Sequence, residues 1–294
     1  MKVLLLGGTG FIGGLVQKQR PEWSWTSLGS RHCDLLDPRQ VNCLQGQYDV
    51  VLNCAGYFGG IVFNQIAQRE ILYRNQIIGM HVCQLVERIK PRKFVSIGSA
   101  CLYPSTHERF LTESMIDSNN QYHPSVKYSA MAKLWLLQTM QVMDVGWEYL
   151  ILSNVYGPGE HLDAERSHFV GSLINRIRHA SGQIQLLGTG AAVRDFLYAT
   201  DAAEAICRYC ELAHPTNSAT NIGTGRGTSI AEITEKLTAI ADPNLAVVWG
   251  SSADDGVLHK VLSNSKMLND IAYDPNTPID KGLEQTWNWF RENA

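Results

Sequence analysis

Three evenly spaced glycines near the amino terminus form the first pattern in the chain that suggests chemistry. Gly7, Gly10 and Gly13 make G-x-x-G-x-x-G directly after the apolar run KVLLL and at the start of a helical pattern. Glycine permits a tight turn there and lets backbone N–H groups approach a pyrophosphate at the positive end of the helix. A merely flexible turn would leave the spacing unexplained, so we predict a dinucleotide site. Its predicted contacts are Gly7, Thr9, Gly10, Phe11, Ile12 and Gly13.

The end of the second predicted strand indicates which dinucleotide binds. Ser30 and Arg31 stand where an NAD enzyme usually has an acidic residue for the ribose hydroxyls. A guanidinium there suits the 2′-phosphate of NADP, although Arg31 could instead be a solvated surface residue. We therefore predict NADP(H) as the cofactor. Further predicted contacts are Asp34 and Leu35 beside the adenine, and Cys54, Ala55 and Gly56 after the third strand.

These residues need a scaffold that brings strand ends together, and the hydrophobic pattern predicts one. Strand-like apolar runs alternate with helical patterns along the first half of the chain. The runs lie at 23–28, 49–55, 93–99 and 147–153, and the helical patterns at 64–89 and 129–144. Such alternation predicts an α/β fold, a Rossmann-type doubly wound parallel sheet with helices on both faces.

The pattern changes after about residue 155, where turn-forming residues become frequent and a helix is predicted at 168–180. The segments 195–201 and 221–225 resemble strand ends, which suggests that the chain returns to the sheet. We predict two interleaved units. They are a dinucleotide-binding domain at 1–155, with returning segments near 188–225, and a smaller, mainly substrate-binding lobe at 156–294.

The composition excludes several classes of protein. The chain has 294 residues, 45% hydrophobic and 18% charged, with a net charge of −3, which is typical of a globular protein and not of a nucleic-acid binder. No apolar run approaches the ~18 residues of a spanning helix, and no signal peptide is evident, so we expect a cytoplasmic protein. Seven scattered cysteines predict reduced thiols. Cys207 and Cys210 form C-x-x-C inside a helical stretch, which favours buried cysteines over a zinc site.

Several motifs resemble those of extended short-chain dehydrogenases/reductases, in particular the GDP-fucose synthase family. The glycine motif, DLLD, NCAG, a serine ending the 93–99 run and YGP at 156–158 are shared with the broad superfamily. The more specific segments are GGIVFN at 59–64, SACLYPS at 99–105, LTES at 111–114, SNVYGPGEHLDAERSHF at 153–169 and GTGAAVRDFLYATD at 188–201. They keep similar spacing over nearly the whole chain. The family epimerises and then reduces GDP-4-keto-6-deoxymannose.

The resemblance implies an acid–base pair. Ser99 would hydrogen-bond the substrate carbonyl, Cys101 would remove the neighbouring protons, and His168 would protonate the opposite face. A ketone at C4 acidifies the protons at C3 and C5, so a thiolate and an imidazolium on opposite faces suffice for epimerisation. Taken without the resemblance, Cys101 is more typical of a buried structural cysteine, and His168 of a helix start as often as of a functional site.

The resemblance also implies a pocket for the sugar nucleotide. Arg176, Arg194 and Lys260 match basic positions that line it, and such cations bind diphosphate oxygens well. Each of them alone is more typical of a solvated surface charge. Asn75 and Asn154 match positions that hold cofactor, substrate or backbone in place, and we assign Asn75 to the cofactor and Asn154 to the substrate.

One segment departs from the family pattern Tyr-x-x-x-Lys, which places both side chains on one helical face. Tyr128 and Lys133 are five residues apart, and Ser129 stands four before the lysine. Five residues turn ~140° beyond a full helical turn, so the two side chains diverge unless the helix starts late or bulges. We expect the helix to begin at about Ser129, with Tyr128 swung in as proton donor and Lys133 at the nicotinamide ribose. The alternative is a phenol that points away.

Together these observations favour an NADP(H)-dependent epimerase and reductase of a 4-keto-6-deoxy nucleotide sugar, with a GDP-sugar preferred. The alternatives are an epimerase with weak or lost reduction, and an inactive nucleotide-binding relative, against which the retained acid–base residues argue. Relatives pair the helices equivalent to 64–89 and 129–144 into a four-helix interface. We therefore predict a homodimer, although burial against the sheet would also explain those apolar faces. We predict no metal, nucleic-acid or membrane partner.

Overall fold

A parallel sheet of six strands lies at the centre of the computed structural model, which describes residues 1–105, 108–162, 167–252 and 255–293. Its strands are β1 (Lys2–Leu6), β2 (Ser24–Leu28), β3 (Val50–Asn53), β4 (Lys93–Ser99), β5 (Trp147–Leu152) and β10 (Ser218–Ile222). They lie in the order β10-β5-β4-β3-β1-β2, and every neighbouring pair is parallel. The predicted Rossmann-type α/β fold is confirmed.

The strand order reverses at β1, which pairs with β2 on one side and with β3 on the other. In open α/β sheets, such a reversal leaves a crevice at the carboxyl ends of the strands, where ligands bind. The glycine turn that follows β1 and the segment that follows β3 both lie at this crevice.

Helices cover both faces of the sheet. The helices are α1 (Phe11–Gln19), α2 (Pro38–Cys43), α3 (Ile61–Ile66), α4 (Gln68–Ile89), α5 (Lys127–Gln141), α6 (Phe169–Arg178), α7 (Ala199–Glu211), α8 (Ile230–Ala241), α9 (Ser265–Ile271) and α10 (Ile279–Asn293). Leu4 and Leu6 of β1 pack into a core with α2, α4 and α5, whereas Val3 and Leu5 pack into a core with α1 and α7. The two-residue period of a strand sends alternate side chains to opposite faces, which explains the near-continuous apolar runs.

Two predicted helices differ from those observed. The pattern at 64–89 is divided into α3 and α4, because Ala67, with φ −102° and ψ 27°, interrupts the helical backbone. The helix predicted from Ser129 begins at Lys127, after a turn in which the Val126 N–H donates to His123 O at 3.0 Å. The expected late start was therefore wrong, and Tyr128 lies within the first turn of α5.

Smaller sheets organise the carboxyl-terminal part of the chain. Their strands are β6 (Asn154–Tyr156), β7 (Gln183–Leu186), β8 (Val193–Arg194), β9 (Phe196–Tyr198), β11 (Thr228–Ser229), β12 (Ala246–Trp249) and β13 (His259–Lys260). β6 pairs with β9, β7 with β12, and β8 lies between β11 and β13. With α6, α8 and α10 they enclose a third core that includes Ile174, Leu237 and Phe290.

The two segments predicted to return to the main sheet behave differently. Residues 218–222 do so as β10, which pairs with β5. The segment 195–201 does not, because β9 pairs with β6 and α7 starts at Ala199. Among the described residues, no helix combines the length and the apolarity that crossing a membrane requires.

Candidate active site

The turn between β1 and α1 is built from backbone contacts that leave no room for side chains. A Cβ atom on Gly7 would lie 2.7 Å from Ala55 N, and one on Gly13 would lie 2.9 Å from Gly8 Cα and closer still to Gly7 O. The N–H groups of Gly7 and Gly8 both donate to Leu28 O, at 2.8 and 3.0 Å. These contacts hold the turn against both neighbouring strands.

The amino terminus of α1 is open. Gly10 is its N-cap, with an extended backbone at φ −83° and ψ 172°, and no side chain caps the helix. The N–H groups of a first turn lack partners within the helix and carry partial positive charge, so they attract anions. Phe11 and Ile12 supply such groups, and the exposed Thr9 packs against Gly29 beside them. This cradle fits the pyrophosphate of a dinucleotide.

Asn53, at the end of β3, orders the first residues of the next segment. Its Oδ1 accepts from the Ala55 N–H at 3.1 Å, and its Nδ2 donates to Ser96 Oγ on β4 at 3.1 Å. Cys54 N donates to Leu6 O at 2.9 Å, and burial raises the pKa of the Cys54 thiol to about 12. Cys54 is thus a neutral thiol, and Ala55 lies directly against the glycine turn.

Asn75, on α4, orders the remainder of that segment. Its Oδ1 accepts from Tyr57 N at 2.8 Å, while its Nδ2 donates to Tyr57 O at 2.8 Å and to Ile71 O at 2.7 Å. Gly56 leaves space for Phe58, whose ring would overlap a Cβ atom there. The amide of Asn75 is therefore engaged with backbone, which fits the backbone-holding alternative for this residue.

The segment after β2 carries the predicted 2′-phosphate and adenine contacts. Arg31 is exposed, and the structure gives its guanidinium no hydrogen bond or ion pair within the described chain. Asp34 is partly exposed, and its Oδ1 accepts from Leu36 N at 2.9 Å. Leu35 is buried in the core beside α4, and its carbonyl bonds His81 Nδ1 at 2.7 Å. Arg31 fits an anionic ligand, whereas the Leu35 side chain mainly fills the core.

Ser99 and Cys101 lie where β4 ends. The Ser99 Oγ accepts from Cys101 N at 3.4 Å and opens a single 3₁₀ turn over Ala100–Leu102. This turn packs on α5, and both residues are partly exposed at the carboxyl edge of the sheet. Both residues therefore lie at the same edge of the sheet as the glycine turn.

Lys133, on α5, is a partly buried cation near Cys101. Its Nζ lies 4.1 Å from the centroid of the Phe58 ring. Burial lowers the pKa of Lys133 to about 8, while the nearby Cys101 acts in the opposite direction by favouring the charged ammonium. The Lys133 ammonium therefore lies within electrostatic range of Cys101.

His168 forms the amino-terminal boundary of α6. Its imidazole is accessible to solvent although protein surrounds most of it, and this desolvation lowers the pKa of the ring. The positive charges of Lys133 and His161 lower it further. A lowered pKa makes the imidazolium a stronger acid, so the ring passes on a proton readily once it carries one.

Arg194 and Lys260 lie side by side, because they are register partners on the parallel strands β8 and β13. Burial lowers the pKa of both groups, and for Lys260 the Cys101 thiol opposes that shift while Arg194 adds to it. Asn154 bonds Asp195 O through its Nδ2 at 3.1 Å. Arg176 is exposed and donates to Gln185 O at 2.6 Å, and no described contact joins it to the group around Cys101.

The position expected for a catalytic phenol is occupied by a buried hydroxyl. Ser129 is 3% exposed and donates to Asn64 Oδ1 at 3.3 Å. Tyr128 is half-buried, and the ammonium of its neighbour Lys127 lies 5.7 Å from its ring centroid. Because α5 is regular from Lys127 onward, Ser129 shares a face with Lys133 and Tyr128 does not.

Two buried carboxyl groups with roles at this site were missed from the sequence. Asp195 accepts from the N–H and the hydroxyl of Thr224, at 3.0 and 2.8 Å, and its own N–H donates to Lys260 O at 3.2 Å. Glu160 Oε1 accepts from His168 N at 3.0 Å. Asp195 directly follows Arg194, a predicted site residue, and this adjacency could have pointed to it. Glu160 lies eight residues before His168, and no periodic sequence pattern connects the two.

The cysteines of the C-x-x-C motif lie elsewhere. Cys207 and Cys210 are buried free thiols on α7, and burial raises the pKa of both. No cluster of His, Cys, Asp or Glu within the described ranges has the arrangement that a metal ion would need.

Comparison with known proteins identifies the family of this chain. The sequence pattern of the NAD dependent epimerase/dehydratase family matches residues 3–223, which include all of the central sheet except its first residue. The chain belongs to this family. A GDP-L-fucose synthase of Escherichia coli (strain K12) is 26% identical over 313 residues, which cover 99% of this chain and 97% of that protein.

Solved structures of related proteins share the fold. A GDP-6-OMe-4-keto-L-xylo-heptose reductase from C. jejuni superimposes with a TM-score of 0.89 at 17% identity, covering 100% of this chain and 98% of that one. A GDP-L-fucose synthetase from Naegleria fowleri, solved with NADP bound, superimposes with a TM-score of 0.87 at 22% identity, covering 99% and 92%. Membership of this family places the chain among NAD-dependent epimerases and dehydratases.

Proposed function

We propose that this chain is an NADP(H)-dependent epimerase and reductase of a 4-keto-6-deoxy nucleotide sugar, with a GDP-sugar as the preferred substrate. One observation carries the proposal, namely that Lys133 of α5 lies within electrostatic range of both Cys101, in the turn after β4, and His168, at the start of α6. A protein that only binds nucleotides has no use for a thiol and an imidazole arranged in this way. The full-length similarity to GDP-L-fucose synthases adds support.

The epimerisation step follows from the chemistry of these groups. The Cys101 thiolate takes a proton from a carbon beside the C4 carbonyl, and the bonding electrons move into an enolate. The Ser99 hydroxyl donates a hydrogen bond to the enolate oxygen. The His168 imidazolium then gives a proton to the opposite face of the same carbon, which inverts it. Solvent afterwards removes the proton from Cys101 and restores the one on His168.

The basic residues and the turn around α1 would bind the two nucleotides. Arg194 and Lys260 would hold the diphosphate of the substrate, with Asn154 beside them and Arg176 at the exposed rim. The uncapped start of α1 would hold the pyrophosphate of NADP(H), and Arg31 its 2′-phosphate. When bound, NADPH supplies the hydride that reduces C4.

A second candidate function is epimerisation with weak reduction, and the register of α5 favours it. A reduced ketone needs a proton at its oxygen, and the phenol of Tyr128 lies away from the Lys133 face of the helix. We propose Tyr128 as the donor from the first turn of α5, and expect reduction to be slower than proton exchange.

Proton exchange tests the proposal directly. We expect the native protein to place deuterium from D₂O into GDP-4-keto-6-deoxymannose without NADPH, followed by NMR, and to oxidise NADPH when it is added. Cys101→Ser should slow the exchange sharply because an alcohol is a much poorer base than a thiolate. Cys43→Ser, at an exposed free cysteine, is the matched control and should exchange normally.

Three results would change the conclusion. Unchanged exchange in both Cys101→Ser and His168→Gln would refute the acid–base assignment. Exchange without any oxidation of NADPH would leave an epimerase alone. Neither exchange nor oxidation by the native protein would indicate an inactive relative.

We also propose that the protein is a homodimer through α4 and α5. Tyr73 and Met80 of α4 are 67% and 42% exposed, and Met131 of α5 is 39% exposed, so apolar side chains on both helices are open to solvent. Covering such side chains is favourable. Light scattering should show that Tyr73→Glu is a monomer. The control, Leu268→Glu at an exposed leucine on α9, should remain a dimer. A monomeric native protein would refute the proposal.

A further inference from the structure

The amino terminus of α6 is held in an unusual way. Its N-cap residue is His168, which makes no side-chain bond to the helix. Histidine is not among the preferred N-cap types, whose side chains accept from the first free N–H groups. Something else must satisfy these groups if the helix end is to stay fixed.

Glu160 supplies that partner from the preceding turn. Its Oε1 accepts from His168 N at 3.0 Å, and its carboxyl also accepts from the Gly171 N–H. The fit is close, because a Cβ atom on Gly171 would lie 2.8 Å from His161 O and 3.1 Å from Glu160 Cδ. The helix can approach the turn this closely because position 171 is a glycine.

The carboxyl is buried beyond what a surface cap requires. Glu160 is 5% exposed, and its Oε2 has no hydrogen-bond partner within the described residues. Burying a carboxyl group with an unpaired oxygen is costly unless the group is neutral. Burial correspondingly raises the pKa of Glu160 to about 8. Such a costly group calls for a role.

We infer that Glu160 is a positioning residue, which closes the start of α6 and so leaves the His168 imidazole free to stand opposite Cys101. The inference rests on the proposed function, since it assigns a purpose to the placement of the proposed proton donor. The side chain that would normally cap the helix is released for chemistry, and a distant carboxyl caps it instead.

The role is carried by the hydrogen bond and not by charge. The groups whose charges act on the pKa of His168 are Lys133 and His161. A glutamine at position 160 has a carbonyl oxygen that can accept the same two N–H groups, so it should hold the helix equally well. An alanine cannot.

Measuring both inversion and deuterium exchange at the substrate carbon distinguishes a positioning role of Glu160 from a general loss of folding. Cys101 alone can remove a proton and return a deuteron to the same face, whereas inversion also needs His168. We expect Glu160→Ala to lose inversion by about 10²-fold, the cost of a donor displaced by roughly 1 Å, while exchange with retention continues. Glu160→Gln should invert as the native protein does.

A matched control and a measurement without substrate complete the test. Ser229→Ala removes the cap of α8, where Ser229 Oγ accepts from Glu232 N at 3.0 Å, and should leave inversion intact. Hydrogen–deuterium exchange of the backbone at the start of α6 should accelerate in Glu160→Ala and not in Glu160→Gln.

The outcomes are distinguishable. Native-like inversion in Glu160→Ala, or failure of Glu160→Gln to restore it, overturns the inference while the proposed function stands. A native protein that neither exchanges nor inverts overturns the proposed function, and the positioning role with it, whatever the backbone exchange shows.

Discussion

Neither α1 nor α6 is capped by the side chain of its own N-cap residue. The start of α1 is left open, whereas the start of α6 is capped by a carboxyl from elsewhere in the chain. At α1 the N-cap is Gly10, and the N–H groups are left open. At α6 the N-cap is His168, and Glu160 closes the end. Because free N–H groups at a helix start attract anions, the open end suits a ligand and the closed end suits a fixed side chain.

The two helix starts also differ in how far along the chain the residues that build them lie. The open end depends on glycines that lie within a stretch of seven residues. These glycines are required because the backbone of neighbouring segments packs directly against them. The closed end depends on a carboxyl eight residues away, in a turn with no periodic pattern. One is a property of a short motif and the other of the tertiary fold.

The largest expected effect breaks the open end. Gly13→Ala puts a Cβ atom against Gly7 O, so α1 must move away from the turn, at a cost of about 1–3 kcal/mol in unfolding free energy. NADPH binding, measured by calorimetry, should be abolished.

Gly14→Ala is the control for this change, because a Cβ atom there would find its nearest neighbour, Gly8 O, only at 4.0 Å. It should bind NADPH normally and gain up to about 1 kcal/mol from helix propensity. Equal behaviour of the two variants would contradict the steric account of the turn.

A smaller effect is expected where Arg31 faces the cofactor. Arg31→Asp exchanges a phosphate partner for a repulsive charge, so NADPH affinity should fall by about 10- to 100-fold, as expected for a charged hydrogen bond. NADH affinity should change little. Calorimetry that finds equal affinities of the native protein for NADPH and NADH would rule out the proposed preference.

The buried Glu160 at the start of α6 should make the unfolding free energy depend on pH. The folded state holds the Glu160 proton up to a pKa of about 8, against 4.5 for the ordinary group. Between these values the folded state binds more protons than the unfolded state, so the unfolding free energy falls as pH rises. Glu160→Gln removes this titration and should gain on the order of 4 kcal/mol relative to the native protein between pH 5 and 9.

Urea unfolding at pH 5, 7 and 9 measures this difference. The exposed Glu235→Gln is the control and should show no comparable trend. A constant difference between Glu160→Gln and the native protein at all three values would mean that the carboxyl titrates normally.

The sequence was sufficient wherever a site is built from neighbours in the chain. Gly7, Gly10 and Gly13 predicted both the turn and the helix, because their function depends on local backbone geometry. Strand β4 was predicted to its exact bounds, since buried parallel strands are continuously apolar and Ser99 marks where this one ends.

Prediction failed where tertiary pairing decides the outcome. Residues 195–201 have the pattern of a strand end, but no local pattern indicates that Phe196–Tyr198 pairs with β6 and not with the central sheet. Glu160 was missed because a buried carboxyl in a turn looks like any solvated one. The start of α5 was misplaced because the turn at His123 delivers the chain into the helix two residues early.

The start of α5 is a third helix start to compare with those of α1 and α6, and the smallest expected effect concerns a residue in its first turn. The N-cap of α5 is Val126, again without a side-chain cap, and Tyr128 lies in the first turn behind it. A well-placed general acid contributes about 10²- to 10⁴-fold, but a phenol off the Lys133 face should contribute less. We expect Tyr128→Phe to slow NADPH oxidation by about tenfold and to leave deuterium exchange unchanged, because exchange uses Cys101. A loss beyond about 10²-fold would mean that the phenol reaches the carbonyl oxygen in the substrate complex, and that the first turn of α5 rearranges around the ligand.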